Sequence, residues 1–537
     1  MTRLDPTAGS PRPRRPAVIL AAIVLAMLAI VVLAWMRFPP GSQQPADAGA
    51  RPAQDAAASP VTIAVLPLAA APVAIATDAA DEDPDRLIAA LRGDDARGDF
   101  NDGIAAHFAG ALSRLQGVQA ISPDSSLQAR DPSEEAHAIG DELGATHLLK
   151  GSVHRSEGAL DMDLALLRVA DGARIWTRRY QRPRAQLFAL QDEIVGELAT
   201  ALGRAVPQAG ARDERPPGGS IEAYEALLRG DAGYRRGDAD GLRAAVADYE
   251  RAIALDPGYA HAHARLALAR VRLATRFGDA RQGELARADA ATALRLDPDS
   301  AAAHKADAAW KAGIELDQAG AMRQTRRAMA LDPQDAESLT ALANQQTAFG
   351  QLDEAVATLR QALALNPLSP GALYNLGGVY MGKNDYAEAE DSFARVLQLS
   401  PGIPAVNAFR AIAALQQNRV EEAVRFASAE PEPLWRNYAL AIVHWGKGDK
   451  AASDAALQAL VRDSGDRAAT QIADIHAQRD DEAQMFHWLD VARRTRDPGI
   501  LEIRYLSYVS RYSTDPRFVA LARELKLLPE GSGAQAP

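Results

Sequence analysis

Three prolines stand 34 residues apart and divide the second half of the chain into units of equal length. They are Pro333, Pro367 and Pro401, and each follows a leucine and one polar residue. A fixed period of this length is typical of helical hairpins that stack into a solenoid. Because solenoids present extended surfaces to other macromolecules, the period favours a binding protein over an enzyme.

The unit 370–401 shows how one hairpin is specified. Leu373, Leu376 and Tyr380 recur at three- and four-residue spacing, which predicts the apolar face of a first helix. Pro401 cannot continue a helix and ends the unit. The pattern is completed by two small residues, Gly377 and Ala389, and by two large apolar residues, Phe393 and Leu397.

This pattern resembles that of tetratricopeptide repeats, and the preceding unit, 336–367, repeats it. Looser units end at Pro257, Pro298 and Pro333, where the spacing drifts to 41 and 35 residues and predicts longer loops. The repeats are predicted to span 220–528, followed by a disordered tail at 529–537.

An apolar run without charge predicts a membrane segment near the N-terminus. Residues 17–36 are long enough to cross the roughly 30 Å hydrocarbon core, and basic residues dominate the short segment 1–16. The excess of positive charge predicts a cytoplasmic N-terminus and export of the rest. We therefore expect a single-pass inner-membrane protein of a bacterium, with a flexible linker at 37–60 and a periplasmic body. The alternative is a cleaved signal peptide.

Residues 61–207 predict a separate domain in which strands and helices interleave. Strands are expected at 61–67, 118–122, 146–154, 160–168 and 173–181, and a long helix at 184–206. The segments that carry a family resemblance include Ile63-Ala-Val-Leu-Pro67, Gly151-Ser-Val153 and Leu187-Phe-Ala-Leu-Gln-Asp-Glu-Ile194. The order of these segments resembles the TolB-like domain of bacterial envelope and signalling proteins.

A TolB-like domain followed by tetratricopeptide repeats resembles the extracytoplasmic half of membrane-anchored bacterial transcriptional regulators and cyclases. In that family the cytoplasmic side often carries the output domain, and only sixteen residues precede the apolar run here. The expected fold class is α+β: a transmembrane helix, a small α/β domain and an all-α solenoid.

Residues with recognisable chemistry are sparse. Without cysteine, the chain has no disulfides and no thiolate ligands, and its net charge of −11 argues against nucleic acid as a partner. No phosphate-binding loop or hydrolase motif is present. We therefore expect no catalytic residue, no metal and no cofactor.

The expected partner-binding surface is the concave face of the first helices of the two clearest units. Tyr and Met give adaptable contact surface and Asn supplies hydrogen bonds to an extended peptide, although these side chains could equally be ordinary exposed residues. The predicted residues are Thr340, Asn344, Thr347, Tyr374, Asn375 and Met381.

Two functional hypotheses follow. The first is a scaffold for protein–protein interaction in the cell envelope, with a protein or peptide partner. The second is the sensory or regulatory arm of a signalling or transcription-control system whose output domain is on another chain. The sequence does not determine the partner or the oligomeric state.

Overall fold

The computed structural model describes residues 61–69, 95–128, 136–155, 158–205 and 215–528. Its five strands form one sheet in the order β2-β1-β3-β4-β5. β1 is parallel to both of its neighbours, whereas β3, β4 and β5 form an antiparallel meander. The strands are β1 (Val61–Val65), β2 (Val118–Ala120), β3 (His147–Arg155), β4 (Ala159–Arg168) and β5 (Arg174–Pro183).

Four helices accompany the sheet. They connect the strands where parallel pairing requires a crossover, and the last one follows β5. They are α1 (Asp95–Ser113), α2 (Pro123–Gln128), α3 (Ala136–Leu143) and α4 (Leu187–Ala201).

Eight helical pairs follow in the described residues, each made of two antiparallel neighbours joined by a short loop. The pairs are α5 (Ile221–Arg236) with α6 (Ala239–Leu255), α7 (Ala260–Phe277) with α8 (Ala280–Leu296), α9 (Ala301–Trp310) with α10 (Gln318–Leu331), α11 (Ala336–Ala348) with α12 (Leu352–Leu365), α13 (Pro370–Lys383) with α14 (Tyr386–Leu399), α15 (Val406–Gln416) with α16 (Val420–Ala429), α17 (Pro433–Lys447) with α18 (Lys450–Ser464), and α19 (Ala469–Gln478) with α20 (Glu482–Thr495). Two 3₁₀ turns, Pro498–Glu502 and Val509–Tyr512, lead to α21 (Pro516–Glu524).

The 41-residue spacing between Pro257 and Pro298 does not produce the longer loops that the sequence predicted. The additional residues lengthen the helices instead: α7 has 18 residues and α8 has 17, against 13 and 14 in α11 and α12. Continuing a helix adds one backbone hydrogen bond per residue, whereas lengthening a loop adds only the loss of conformational entropy that comes with ordering it.

The sheet and the first repeats share one hydrophobic core. A single cluster of buried side chains runs from the sheet residues Val61 and Leu149 to Tyr249 and Ala306 in the repeats. Gly103 of α1 provides the closest approach, because a Cβ at this position would lie 2.8 Å from the side chain of Leu228 on α5. The described residues of 61–207 and 220–528 therefore pack against each other.

Gln334 ties the loop before α11 to the sheet region. Its amide nitrogen donates to the carbonyl oxygens of Ser113 at 2.8 Å and Val118 at 2.9 Å. Its amide oxygen accepts from the backbone nitrogen of Ala120 at 3.3 Å. A little further along, the backbone nitrogen of Ser122 donates to Leu365 at 2.7 Å. The array therefore contacts the sheet region from its first helix to the loop after α12.

The predicted fold class and location are wrong. The described chain is mostly helical and its sheet is small. No helix in the described ranges combines the length and apolar character needed to cross a membrane. Even α7, one of the longest, is amphipathic and carries four arginines. Three predicted segments lie outside the described residues: 17–36, the linker at 37–60 and the tail at 529–537. The predicted location, at the inner membrane and facing the periplasm, is the part that is corrected.

Two adjacent glycines of α13 have opposite surroundings and give a matched test of repeat packing. We expect Gly377→Ala to destabilise the fold by about 1–3 kcal/mol, because its Cβ would lie 2.6 Å from the ring of the fully buried Phe393. Gly378→Ala should instead stabilise by up to about 1 kcal/mol, since a Cβ there meets no atom within 4 Å and Ala favours helix. Chemical denaturation measures both, and equal effects of the two changes would contradict this packing.

Removal of the Gln334 side chain tests how the sheet region is attached. Gln334→Ala leaves three backbone groups without their partner and should destabilise by about 1–3 kcal/mol. The control is Gln361→Ala, an exposed position on α12. Urea unfolding followed by circular dichroism gives both values, and a neutral Gln334→Ala would show that water replaces these bonds without cost.

Candidate functional site

Five of the six residues predicted to bind a partner line one cavity between the repeats. Asn344 and Thr347 come from α11, and Tyr374, Asn375 and Met381 come from α13. They face the same space because they lie on the first helices of adjacent pairs. The cavity has a volume of about 240 Å³.

The sixth residue, Thr340, does not line the cavity, and the hydroxyl of Thr347 is already engaged. Each of the two threonines donates to the carbonyl oxygen four residues earlier in α11, at 2.8 Å for Thr340 and 2.7 Å for Thr347. Met381 and Thr347 are buried, whereas Asn344 is exposed at the mouth. The asparagines and Tyr374 therefore supply the polar groups of this face.

The opposite wall of the cavity is the chain's own C-terminal segment, residues 498–507, which we term the plug. Leu501, Glu502, Tyr505 and Leu506 of the plug line the cavity. The plug lies very close to the repeats, because a Cβ at Gly382 of α13 would stand 2.9 Å from Cβ of Tyr505. The face of α11 and α13 at this point is thus occupied by the protein itself.

Hydrogen bonds hold the plug at Arg504 and just beyond its C-terminal end. The guanidinium of Arg504 donates to the carbonyl oxygens of Phe349 at 2.6 Å and Leu527 at 2.9 Å. Just beyond the plug, the backbone nitrogens of Tyr508 and Val509 both donate to Oδ1 of Asp474, each at 3.0 Å. Ile500 and Ile503 of the plug are also fully buried in the same apolar core as α11 and α13, so packing seats the plug together with these hydrogen bonds.

Polar groups converge on this cavity without hydrogen-bond partners among the described residues. Glu502 is the only charged residue in the described lining, and it makes no ion pair there. The side chains that lack partners are those of Asn344, Tyr374, Asn375, Glu502 and Tyr505. None of these polar atoms is among the buried ones that lack a partner, because the five side chains are partly or wholly exposed, so they are open to a ligand or to water.

The electrostatic environment of Glu502 is unfavourable to its charge. Burial, together with the neighbouring carboxylates of Asp497 and Asp474, raises the pKa of Glu502 to about 7. Burial also raises the pKa of Asp474 to about 6, although hydrogen bonds from Val509, Tyr438 and Tyr508 oppose the shift. Burial and the charge of Glu502 raise the pKa of Tyr374 and of Tyr505, so both phenols stay protonated at neutral pH.

Aromatic rings form the inner wall. Phe393 and Phe409 stack with their centroids 5.8 Å apart. Tyr374 meets both of them edge-on, at 5.8 Å and 6.1 Å, and Trp435 lies 5.6 Å from Phe409. The cavity therefore combines one carboxylate, several amide and phenol groups, and aromatic faces.

A second cavity, of about 310 Å³, lies where the first repeats meet α1 and α2. Its walls carry charges of both signs that are paired. Glu337 accepts from Lys305 at 2.9 Å and from Arg272 at 3.0 Å, and these cations hold the pKa of Glu337 well below its usual range. Burial would raise the pKa of Asp231, but Arg265, at 2.7 Å, lowers it. These pairs fix the junction, although the buried Nη2 of Arg235 in the same lining has no hydrogen-bond partner among the described residues.

The plug has no direct signature in the sequence. The segment 498–507 carries no repeat pattern, and its contacts with α11 and α13 cross more than one hundred residues. Two glycines were available as a signal: Gly350 next to Arg504, and Gly382 next to Tyr505. Either glycine is also compatible with an ordinary turn or helix contact, so neither identifies what approaches it.

Comparison with known proteins supports the repeats. The tetratricopeptide repeat family matches residues 340–404 and 381–433. Putative adenylate cyclase 3 of Rhizobium meliloti is 30% identical over 180 residues, which are 33% of this chain and 30% of that protein. The chain thus matches less than a third of the length of this relative.

Solved structures that match part of the chain include PilF of Pseudomonas aeruginosa, at 21% identity and a TM-score of 0.31 over 37% of this chain and 92% of that one. PilW, a type IV pilus biogenesis factor, gives 21% identity and a TM-score of 0.32 over 39% and 92%. On the family match and the observed helical pairs, the chain carries tetratricopeptide repeats, which indicate a scaffold for protein–protein interaction.

Neutralising Glu502 should stabilise the protein in a pH-dependent way. The pKa of Glu502 is about 7 in the folded protein, above the unfolded value near 4.5. The contribution of Glu502 to the free energy of unfolding is therefore fully present below pH 4.5 and is lost as the pH rises through 7. Glu502→Gln should therefore stabilise by roughly 3 kcal/mol at pH 8, at about 1.4 kcal/mol per unit of pKa, and by much less at pH 5.

Thermal unfolding at pH 5 and pH 8 measures the effect. The matched control is Glu421→Gln, an exposed carboxylate on α16 that should change little at either pH. A destabilised Glu502→Gln at pH 8 would mean that the carboxylate has a favourable partner in solution.

Proposed function

We propose that this chain is a protein-interaction scaffold whose concave face at α11, α13 and α15 takes up a segment of a partner protein. The observation that carries the proposal is the plug itself, a short segment seated against this face by side-chain insertion and by the backbone contacts of Arg504. A surface that holds one such segment in cis can hold a similar segment in trans.

The plug also indicates what the partner segment would look like. It is a short helical turn with apolar and aromatic side chains on the side that meets the repeats, as in Leu501, Tyr505 and Leu506. Binding in trans then requires the plug to leave, so affinity is reduced by the free energy that seats it. A partner with the same chemistry competes directly with residues 498–507.

Site-specific crosslinking in intact cells tests this proposal. A photoreactive amino acid at Asn344, at the mouth of the cavity, should capture the partner, whereas the same group at Gln361, exposed on α12, should not. Arg504→Ala should increase capture several-fold by loosening the plug. A synthetic peptide of residues 497–512 should decrease it.

The outcome that contradicts the proposal is equal capture at Asn344 and Gln361, or capture that neither Arg504→Ala nor the peptide changes. In that case partners would bind elsewhere on the array and the plug would be a permanent part of the fold.

A second candidate is the regulatory arm of a signalling system whose output domain is on another chain, with the α/β region as a TolB-like domain. It is supported by the similarity to a protein described as a putative adenylate cyclase. The same crosslinking separates the two, because the regulatory role predicts that the captured protein itself carries a catalytic or DNA-binding domain.

A further inference from the structure

The cavity between the plug and the repeats has the features of a site for a small molecule. Its volume of about 240 Å³ lies just below the roughly 300–1,000 Å³ of pockets that hold drug-sized ligands. Apolar side chains form much of the wall, with a few convergent polar groups among them. Gly378 leaves the space open, since no atom lies within 4 Å of where its Cβ would stand.

The charge of the lining selects the class of ligand. Glu502 is the single charged side chain among the described residues that line the cavity, and Asp497 and Asp474 add to its negative field. Around it stand the phenols of Tyr374 and Tyr505 and the amides of Asn344 and Asn375. Carboxylate, phenol and amide oxygens are all acceptors for an ammonium group.

The aromatic wall favours the same class. A cation near the faces of aromatic rings gains from their electrostatic quadrupole, most of all where water is excluded. Tyr374, Phe393 and Phe409 meet at centroid distances of 5.8–6.1 Å beside the cavity. An apolar body attached to the ammonium would pack against Met381 and Leu506.

We infer that the cavity binds a small primary amine in its protonated form, with the ammonium between Glu502 and the aromatic wall and the apolar part against Met381 and Leu506. The ligand would touch the plug through Glu502 and Tyr505 and the repeats through Tyr374 and Asn375, so its binding stabilises the seated plug. The site stands independently of the proposed partner, although a bound amine would oppose the release of the plug that partner binding requires.

Calorimetric titration of the full chain tests the site, with phenethylamine as the probe and 2-phenylethanol as its neutral counterpart. At pH 8 we expect the amine to bind and the alcohol to bind at least tenfold more weakly. Affinity should fall as the pH decreases from 8 to 5.5, because Glu502 and then Asp474 take up protons. Hydrogen exchange of residues 498–512 should slow when the amine is present.

Three variants separate the site from general effects on folding. Glu502→Gln, which should fold at least as well as the parent, should lose at least tenfold in amine affinity, and Gly378→Leu should block binding by filling the cavity. Glu421→Gln should bind the amine normally.

Equal binding of amine and alcohol, or amine binding that survives Glu502→Gln, would overturn the inference. Binding of a lysine with blocked backbone termini, without binding of phenethylamine, would also overturn it and assign the site to a lysine of the partner. Failure of the crosslinking at Asn344 leaves these titrations unaffected, so the two proposals fail separately.

Discussion

The first helices of the helical pairs share one face of the repeat array, and the fold depends on how that face is covered. Stacking buries the contacts between neighbouring pairs but leaves the outer side of α5, α7, α9, α11 and α13 to other contacts. This chain covers much of it with its own segments. The sheet region lies against the first repeats through one continuous core, and the plug lies against the later ones.

The two coverings use different interactions. At the first repeats, apolar packing is supplemented by paired charges such as Lys305 with Glu337, and the shared core makes this junction part of the folded unit. At the later repeats, the plug leaves a cavity and places the carboxylate of Glu502 beside it without a cationic partner in the described lining. Both coverings also belong to apolar cores, since Ile500 and Ile503 of the plug are buried with the later repeats, so the second covering differs chiefly in leaving a cavity beside an unpaired carboxylate.

The helical hairpins could be predicted because their determinants are local. Pro333, Pro367 and Pro401 mark the ends of three units, and Gly377 lies opposite Phe393 as a close helix contact requires. The strands were also predictable, with β3 at His147–Arg155 against an expected 146–154. The longer helices α7 and α8 were missed because spacing alone does not say whether additional residues extend a helix or a loop.

The sequence by itself predicted the repeats and five of the side chains that line the cavity, since each depends on residues a few positions apart. Only the tertiary structure decided what covers the face that carries them. The contact of Gly382 with Tyr505 and that of Phe349 with Arg504 join residues more than one hundred positions apart, and no periodic pattern encodes such a pairing. The same long-range packing joined the sheet region to the repeats and placed Glu502 at the cavity, because burial depends on the whole fold.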